Sequence, residues 1–167
     1  MTTPQLTLRD YENQDAPAVN AIALDAFAQF ENHYADWSVF RSKIADTASL
    51  ASVGELIVAV LGNGVVGAVA YVGPGRPKAS FFRPEWPAMR MLVVAPHSRG
   101  LGVGRALAEE CLVRARRDGA QLFALHTSPI MSVALPMYLR MGFQLHSEVP
   151  SIHGVAYNLY TKALVDA

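Results

Sequence analysis

Apolar and polar positions alternate at Leu6-Thr7-Leu8-Arg9, the period of a short strand with one buried face. From Pro17 the period changes. Val19, Ile22, Ala26 and Phe30 recur at intervals of three and four, which predicts an amphipathic helix. Phe40 and Ile44 share one face of a second helix predicted over 37–48. Two runs rich in β-branched residues, 55–61 and 65–72, flank Asn63-Gly64, a strong signal for a short hairpin. Their apolar density predicts central strands buried on both faces.

The segment 73–87 is of another kind. It carries Pro74, Pro77, Pro84 and Pro87 with Gly73 and Gly75, and fits neither a helix nor a regular strand. A loop of that length inside a compact domain is more often functional than not. Beyond it the pattern predicts a strand over 88–94, a glycine-led helix running to about Asp118 and stopping at Gly119, and a strand over 122–127. A short helix over 131–141, capped by Gly142, precedes two closing strands over 143–149 and 155–161. No internal repeat or linker interrupts this order, so the 167 residues read as one α/β domain with a mixed sheet.

Charge and cysteine content narrow the class. Lys plus Arg equals Asp plus Glu at fourteen each, so no global field draws the chain to nucleic acid or to an acidic membrane. Cys111 is the one cysteine; it excludes an internal disulfide, fits a reducing cytoplasm, and falls on the predicted buried stripe of a helix. No basic region followed by an apolar one opens the chain, and the apolar span 56–72 is broken at Gly62-Asn63-Gly64. The expectation is a soluble cytoplasmic protein without a membrane or nucleic-acid partner; its oligomeric state is open, a homodimer included.

The most informative stretch is 91–107, where an apolar run ends at Pro96 and Gly100, Gly102 and Gly104 lead into an amphipathic segment. A strand, a turn and a helix N-terminus bare of side chains form a site for a diphosphate, with Arg99 or Arg105 adding a cation. A nucleotide P-loop needs Gly-Lys-Ser/Thr, but Gly104 is followed by Arg105 and Ala106. A dinucleotide fingerprint needs a third glycine where Leu107 stands, and an acid where the next strand ends in His126 and Thr127.

The remaining pattern, Arg-x-x-Gly-x-Gly after a strand, matches at Arg99, Gly102 and Gly104 and resembles the acetyl-CoA motif of the Gcn5-related N-acetyltransferase (GNAT) superfamily. A second motif, Tyr138-Leu139-Arg140-Met141-Gly142-Phe143, resembles that family's Tyr-x-x-x-Gly-Phe, and the order of elements agrees over nearly the whole chain. The resemblance implies a single-domain GNAT-like fold: a mixed, mostly antiparallel sheet of about seven strands with about four helices. It also implies an acetyl-CoA-dependent N-acetyltransferase acting on a primary amine, with coenzyme A as product and no metal.

That chemistry makes three demands. The amine must be neutral, although a lysine-like amine has a pKa of about 10. The oxyanion needs preorganised donors, and the thiolate leaves more easily when protonated. By resemblance, the strand end at Leu92, Val93 and Val94 meets the pantetheine arm, and Arg99, Gly100, Leu101, Gly102, Val103, Gly104 and Arg105 meet the pyrophosphate. Tyr138 matches the general acid. For the base, some relatives carry a glutamate near the place of Ala88. Ribosomal-protein alanine acetyltransferases carry one twelve residues before the tyrosine, where this chain has His126. A histidine titrates near neutrality and suits the role, with an acidic limb near pH 6 to 7 if its surroundings perturb it little; Glu85 in the proline-rich loop is the reserve. Many relatives have Asn seven residues before the tyrosine, where this chain has Met131, so that polar contact is lost or moves to Ser128 or Ser132.

The acceptor should enter opposite the pyrophosphate, between the first two helices and the proline-rich loop. Phe27, Phe30, Tyr34 and Trp37 are candidates for its apolar wall. Glu31, Asp36 and Glu85 would hold a cationic amine, whereas Arg76, Lys78 and Arg83 would favour an acidic acceptor. The acceptor, a small molecule or a peptide amine, is therefore not identified. A non-catalytic acyl-CoA-binding regulatory module stays open, as does an acyltransferase using a hydroxyl acceptor or a longer acyl chain.

Overall fold

The structure, a computed structural model, describes residues 3–164. Seven strands, β1 (Leu6–Asp10), β2 (Glu55–Leu61), β3 (Gly64–Val72), β4 (Ala88–Val94), β5 (Leu122–Thr127), β6 (Gln144–Ile152) and β7 (Val155–Ala163), form one sheet in the order β1-β2-β3-β4-β5-β7-β6. Every neighbouring pair is antiparallel except β4 and β5, which run parallel. Four α-helices, α1 (Ala16–Ala28), α2 (Trp37–Ile44), α3 (Val103–Arg117) and α4 (Ala134–Arg140), complete the domain. The expected sheet and helix numbers are both found.

One apolar cluster joins α3 and α4 to one face of the sheet, with Leu107, Cys111, Phe123, Leu125 and Tyr138 at its centre. A second joins α1 and α2 to the other face through Val19, Ile22, Phe27, Ile44, Val58 and Val93. The proline-rich loop seals a third patch with Phe82 and Trp86 over Ala88, Ala124 and Leu159. Its course is held from inside: the Lys78 ammonium donates to the Gly73 and Arg76 carbonyls at 2.8 and 3.1 Å.

Several boundaries differ from the sequence expectation: β6 runs to Ile152 rather than 149 and β7 to Ala163 rather than 161, and three others differ for a local reason. The β2–β3 turn is Gly62-Asn63 rather than Asn63-Gly64. Leu61 pairs with Gly64, and Gly62 takes the positive φ of 64° that a two-residue turn needs. Helix α2 stops at Ile44, where the Thr47 hydroxyl takes up the Ile44 carbonyl at 2.6 Å; a 3-10 segment, Thr47–Ser52, follows. Helix α4 begins at Ala134 rather than at 131, because Pro136 has no N–H to give and is tolerated only in a first turn. Its end is as expected: Gly142 has φ 98°, and the Phe143 amide donates to the Tyr138 carbonyl at 3.1 Å.

Helix α3 lies close on β3 because Gly67 has no side chain. A Cβ there would stand 2.9 Å from the Val93 carbonyl oxygen, 3.0 Å from Val103 Cγ1 and 3.1 Å from Leu107 Cδ1. At its far end α3 is tied down by Arg114, paired with Asp10, Glu55 and Glu110, and by Arg117, paired with Glu55 and Asp118. Gly67→Ala should therefore overpack the seam between α3 and the sheet and cost about 1–3 kcal/mol. Urea unfolding checks this as a lower midpoint at an unchanged m value.

Candidate functional site

The site begins with a fault in the sheet. Ala68 pairs with Val93 and Ala70 with Arg90, so a single residue of β3, Val69, faces two of β4, Met91 and Leu92. Met91 absorbs the extra residue by taking a positive φ of 56°, a conformation that costs a non-glycine residue roughly 1–3 kcal/mol. On its other side β4 meets β5 through one registered pair, Ala88 with Ala124. Past that pair the strands separate, and the backbone at Leu92, Val93 and Val94 has no ladder partner from β5.

The separation opens a cleft of about 370 Å³. Its floor is Leu92, Val93 and Val94. One wall is the end of α1 with Phe27 and Phe30; the other is the approach to α4 and its first turns, from Met131 to Met137, with Arg140. At the head stand Arg99, Gly100, Gly102, Val103, Gly104 and Arg105. Gly100 and Gly102 both have φ 79°, no side chain caps α3, and a Cβ on either glycine would meet nothing within 4 Å. The first N–H groups of α3 therefore face open space, as a phosphate site requires. A Cβ on Gly104 would instead point between Val94 Cγ2 at 3.5 Å and Met137 Sδ at 3.9 Å, into the channel itself. Arg105 is partly engaged with Glu109 at 2.8 Å, whereas Arg99 and Arg140 make no ion pair among the described residues.

Nine of the ten residues assigned to the coenzyme thus line one cleft; Leu101, 57% exposed, points away from it. Ser132 lies on the wall, but Ser128 is fully buried and accepts the Ile130 amide at 3.3 Å. Phe27, expected on the acceptor side, belongs to this same cleft. Tyr34 does not line it; its hydroxyl is hydrogen-bonded to that of Tyr157 in a buried aromatic stack with Trp37 and Phe40. Glu85 is exposed on the proline-rich loop, outside the cleft wall. Arg140 and Met137 were missed; with Ala134 they recur every three residues along α4 and line the cleft, a spacing that the motif at Tyr138 obscured.

The two expected proton carriers are both removed from the cleft surface. Tyr138, 5% exposed, follows Ala134 by one turn on the flank of the cleft-lining face, with its ring edge-on to Phe143 at 5.9 Å. Burial, and then proximity to Cys111, push its hydroxyl pKa well up, and the hydroxyl has no hydrogen-bond partner among the described residues. His126 sits on the opposite face of the sheet, among the rings of Phe81, Phe82 and Tyr157 at 5.2, 5.7 and 5.4 Å. Its Nδ1 is buried without a partner, and burial, reinforced by the charge of Arg90, lowers its pKa to about 4. The acidic limb expected near pH 6 to 7 is corrected accordingly. A ring so placed is neutral at neutral pH, but a weak base.

The depressed value has a consequence for stability. Between about pH 6.5 and about pH 4 the unfolded chain holds a proton on His126 that the folded chain refuses, so folding weakens as pH falls. The wild type should lose about 1.4 kcal/mol per pH unit in that window from this group, beyond what the carboxylates contribute. His126→Gln should flatten the slope by that amount, measured by urea unfolding at several pH values; equal slopes would mean that the ring titrates alike folded and unfolded.

Known proteins resemble this arrangement. The chain is 36% identical to N-acetyltransferase 8F1 of Rattus norvegicus over 106 residues, which make up 62% of this chain and 47% of that protein. It therefore spans about half the length of the curated relative it matches. A GCN5-related N-acetyltransferase from Rhodopseudomonas palustris superposes with a TM-score of 0.75 at 23% identity, covering 98% of both chains. yncA from Salmonella typhimurium, solved with its cofactor acetyl-CoA, gives 0.68 at 15% identity over 98% of this chain and 96% of its own. The ribosomal-protein-S18-alanine N-acetyltransferase of Escherichia coli gives 0.69 at 16%, over 98% of this chain and 96% of that one. Those structural likenesses concern the fold, but the family model for acetyltransferases matches residues 16–143, from the first residue of α1 to the Phe143 that follows α4. The chain belongs to the acetyltransferase (GNAT) family.

Proposed function

We propose that this protein transfers the acetyl group of acetyl-CoA to a primary amine. The observation that carries the reading is one cleft in which the separated end of β4 and the uncapped, glycine-led N-terminus of α3 stand together. Acetyl-CoA when bound supplies an acetyl thioester; the transfer makes an N–C bond, breaks a C–S bond, takes one proton from the amine and gives one to the sulfur.

The chain's own residues divide that work. The amides that open α3, with Arg99, Arg105 and Arg140 beside them, hold the pyrophosphate. Backbone groups of Leu92, Val93 and Val94, left free by β5, orient the pantetheine arm and donate to the carbonyl oxygen where charge develops. A Tyr138 hydroxyl that stays protonated in an apolar setting, unpaired and next to the cleft-lining face, is suited to give the sulfur its proton. His126, neutral throughout the physiological range, takes the amine proton directly or through water; its low pKa limits it to a modest contribution.

The experiment is turnover of acetyl-CoA, followed as free thiol, over a panel of amines, with calorimetry on the same preparations. Gly104→Val should leave the fold intact and weaken acetyl-CoA binding by at least about 100-fold, because the branched side chain fills the gap between Val94 and Met137. Unchanged affinity would remove the coenzyme assignment.

Tyr138→Phe keeps the ring in its packing and removes only the proton. Turnover should fall by about 100-fold with acetyl-CoA affinity near that of the wild type. Full turnover in this variant would make the tyrosine a packing residue. Binding without turnover of any amine, in the wild type, would favour the non-catalytic acyl-CoA-binding module.

A further inference from the structure

On the α1–α2 face of the sheet one residue breaks the pattern of its surroundings. Arg90, on a central strand, is exposed, although Ala70, Ala88, Val93 and Ala124 around it are all buried. Ala70 is its direct partner across β3, so both side chains leave the sheet on the α1–α2 side. An exposed arginine there means that the covering layers do not meet above it. The α1–α2 cluster includes Met91 and Phe30, the patch under the proline-rich loop includes Phe81 and Phe82, and the two share no residue, so the exposed Arg90 marks a gap between them.

The parallel register brings a second group to the gap. Ala88 faces Ala124, so two residues further on, at the point where the strands part, Arg90 on β4 stands beside His126 on β5, on the same face. The lowered His126 pKa reports the same closeness. Arg90 makes no ion pair among the described residues. It is followed immediately by Met91, the strained residue of the bulge that opens the coenzyme cleft. An exposed arginine without an ion pair thus stands one residue before the bulge that borders the cleft, on the face opposite α3.

We propose that Arg90 selects the acceptor, and that the acceptor is an amino carboxylate: its carboxylate lies on the Arg90 guanidinium and its amine is directed toward the bulge at Met91. The proposal rests on the acetyl-transfer reading above. A planar guanidinium matches a carboxylate with two parallel hydrogen bonds, a geometry that an ammonium cannot reproduce. The same charge disfavours a protonated amine close to it and so favours the neutral form that attacks. Polyamines and aminoglycosides, which are cationic throughout, are repelled from the gap. Phe81, half-buried beside His126, gives the acceptor side chain an apolar contact.

The test compares amino acids with the amines left when the carboxylate is removed: phenylalanine with phenethylamine, tyrosine with tyramine, leucine with isoamylamine. Each amino acid should be acetylated with a kcat/KM about 10- to 100-fold above that of its amine, the difference entering through KM. Arg90→Gln should erase the preference by weakening only the amino acids, and Arg90→Lys should restore part of it. Calorimetric titration of the same amino acids into the coenzyme-A complex should show the same ranking without turnover. Equal kcat/KM within the pairs, acetylation of the amines alone, no turnover of any amino acid, or a preference that survives Arg90→Gln overturns the assignment. Failure of the wild type to bind acetyl-CoA defeats the acetyl-transfer reading itself, whereas acetyl-CoA binding with efficient turnover of amines alone defeats only the role of Arg90.

Discussion

The molecule depends on β4 and β5 sharing so little. A parallel pair in a mixed sheet would ordinarily continue its ladder to the strand ends, but here it holds through one registered pair and then opens. The bulge at Met91 turns β4 away, and its strain is sustained because β3 grips the strand on both sides, through Ala70–Arg90 and Ala68–Val93. That gap frees main-chain groups that would otherwise be spent on a neighbour, and it opens the plane of a sheet whose strands are paired elsewhere.

The two faces of the gap differ in character. On the α3 side the cations Arg99, Arg105 and Arg140 and the open helix end gather around a narrow head, suited to a polyanion. On the α1–α2 side an exposed arginine, Arg90, stands beside His126, whose ring lies among those of Phe81, Phe82 and Tyr157. Burial acts on the two titratable side chains beneath the gap in opposite directions, raising the tyrosine and lowering the histidine, with one result: both are neutral at neutral pH. In the proposed transfer no charge has to be created on the protein before the substrates meet.

Much of this was legible in the sequence. The strands, the glycine-led helix and the Gly142 cap were readable because each is fixed by local chemistry, namely side-chain period, absent side chains and positive φ. What was not legible depended on register. Nothing in Arg90-Met91-Leu92 announces a bulge; a methionine at φ 56° is chosen by the strands around it. Nothing in the sequence joins Arg90 to His126; the parallel register, with Ala88 opposite Ala124, brings them side by side. The acidity of His126 was likewise invisible, since it follows from three rings and a charge that lie far away in sequence or on another strand. Pro136, which delays α4 to Ala134, is itself a sequence signal, because a proline fits a helix only in its first turn.

Strand β7 lies between β5 and β6, although it follows both in the chain. β6 touches the sheet through β7 alone, and Tyr157 on β7 supplies the hydroxyl that meets Tyr34 from the early part of the chain. The cleft that faces α3 is built from residues up to Arg140, whereas the aromatic wall on the other face waits for β7. As the chain leaves the ribosome, the cleft beside α3 has all its parts before the aromatic wall on the other face, and β6 emerges before the strand it pairs with. A long-range pairing of that kind is slow to form. Until β7 arrives, the nine residues of β6 are a strand edge exposed to other nascent chains, with Pro150 and Glu148 as its guards against them.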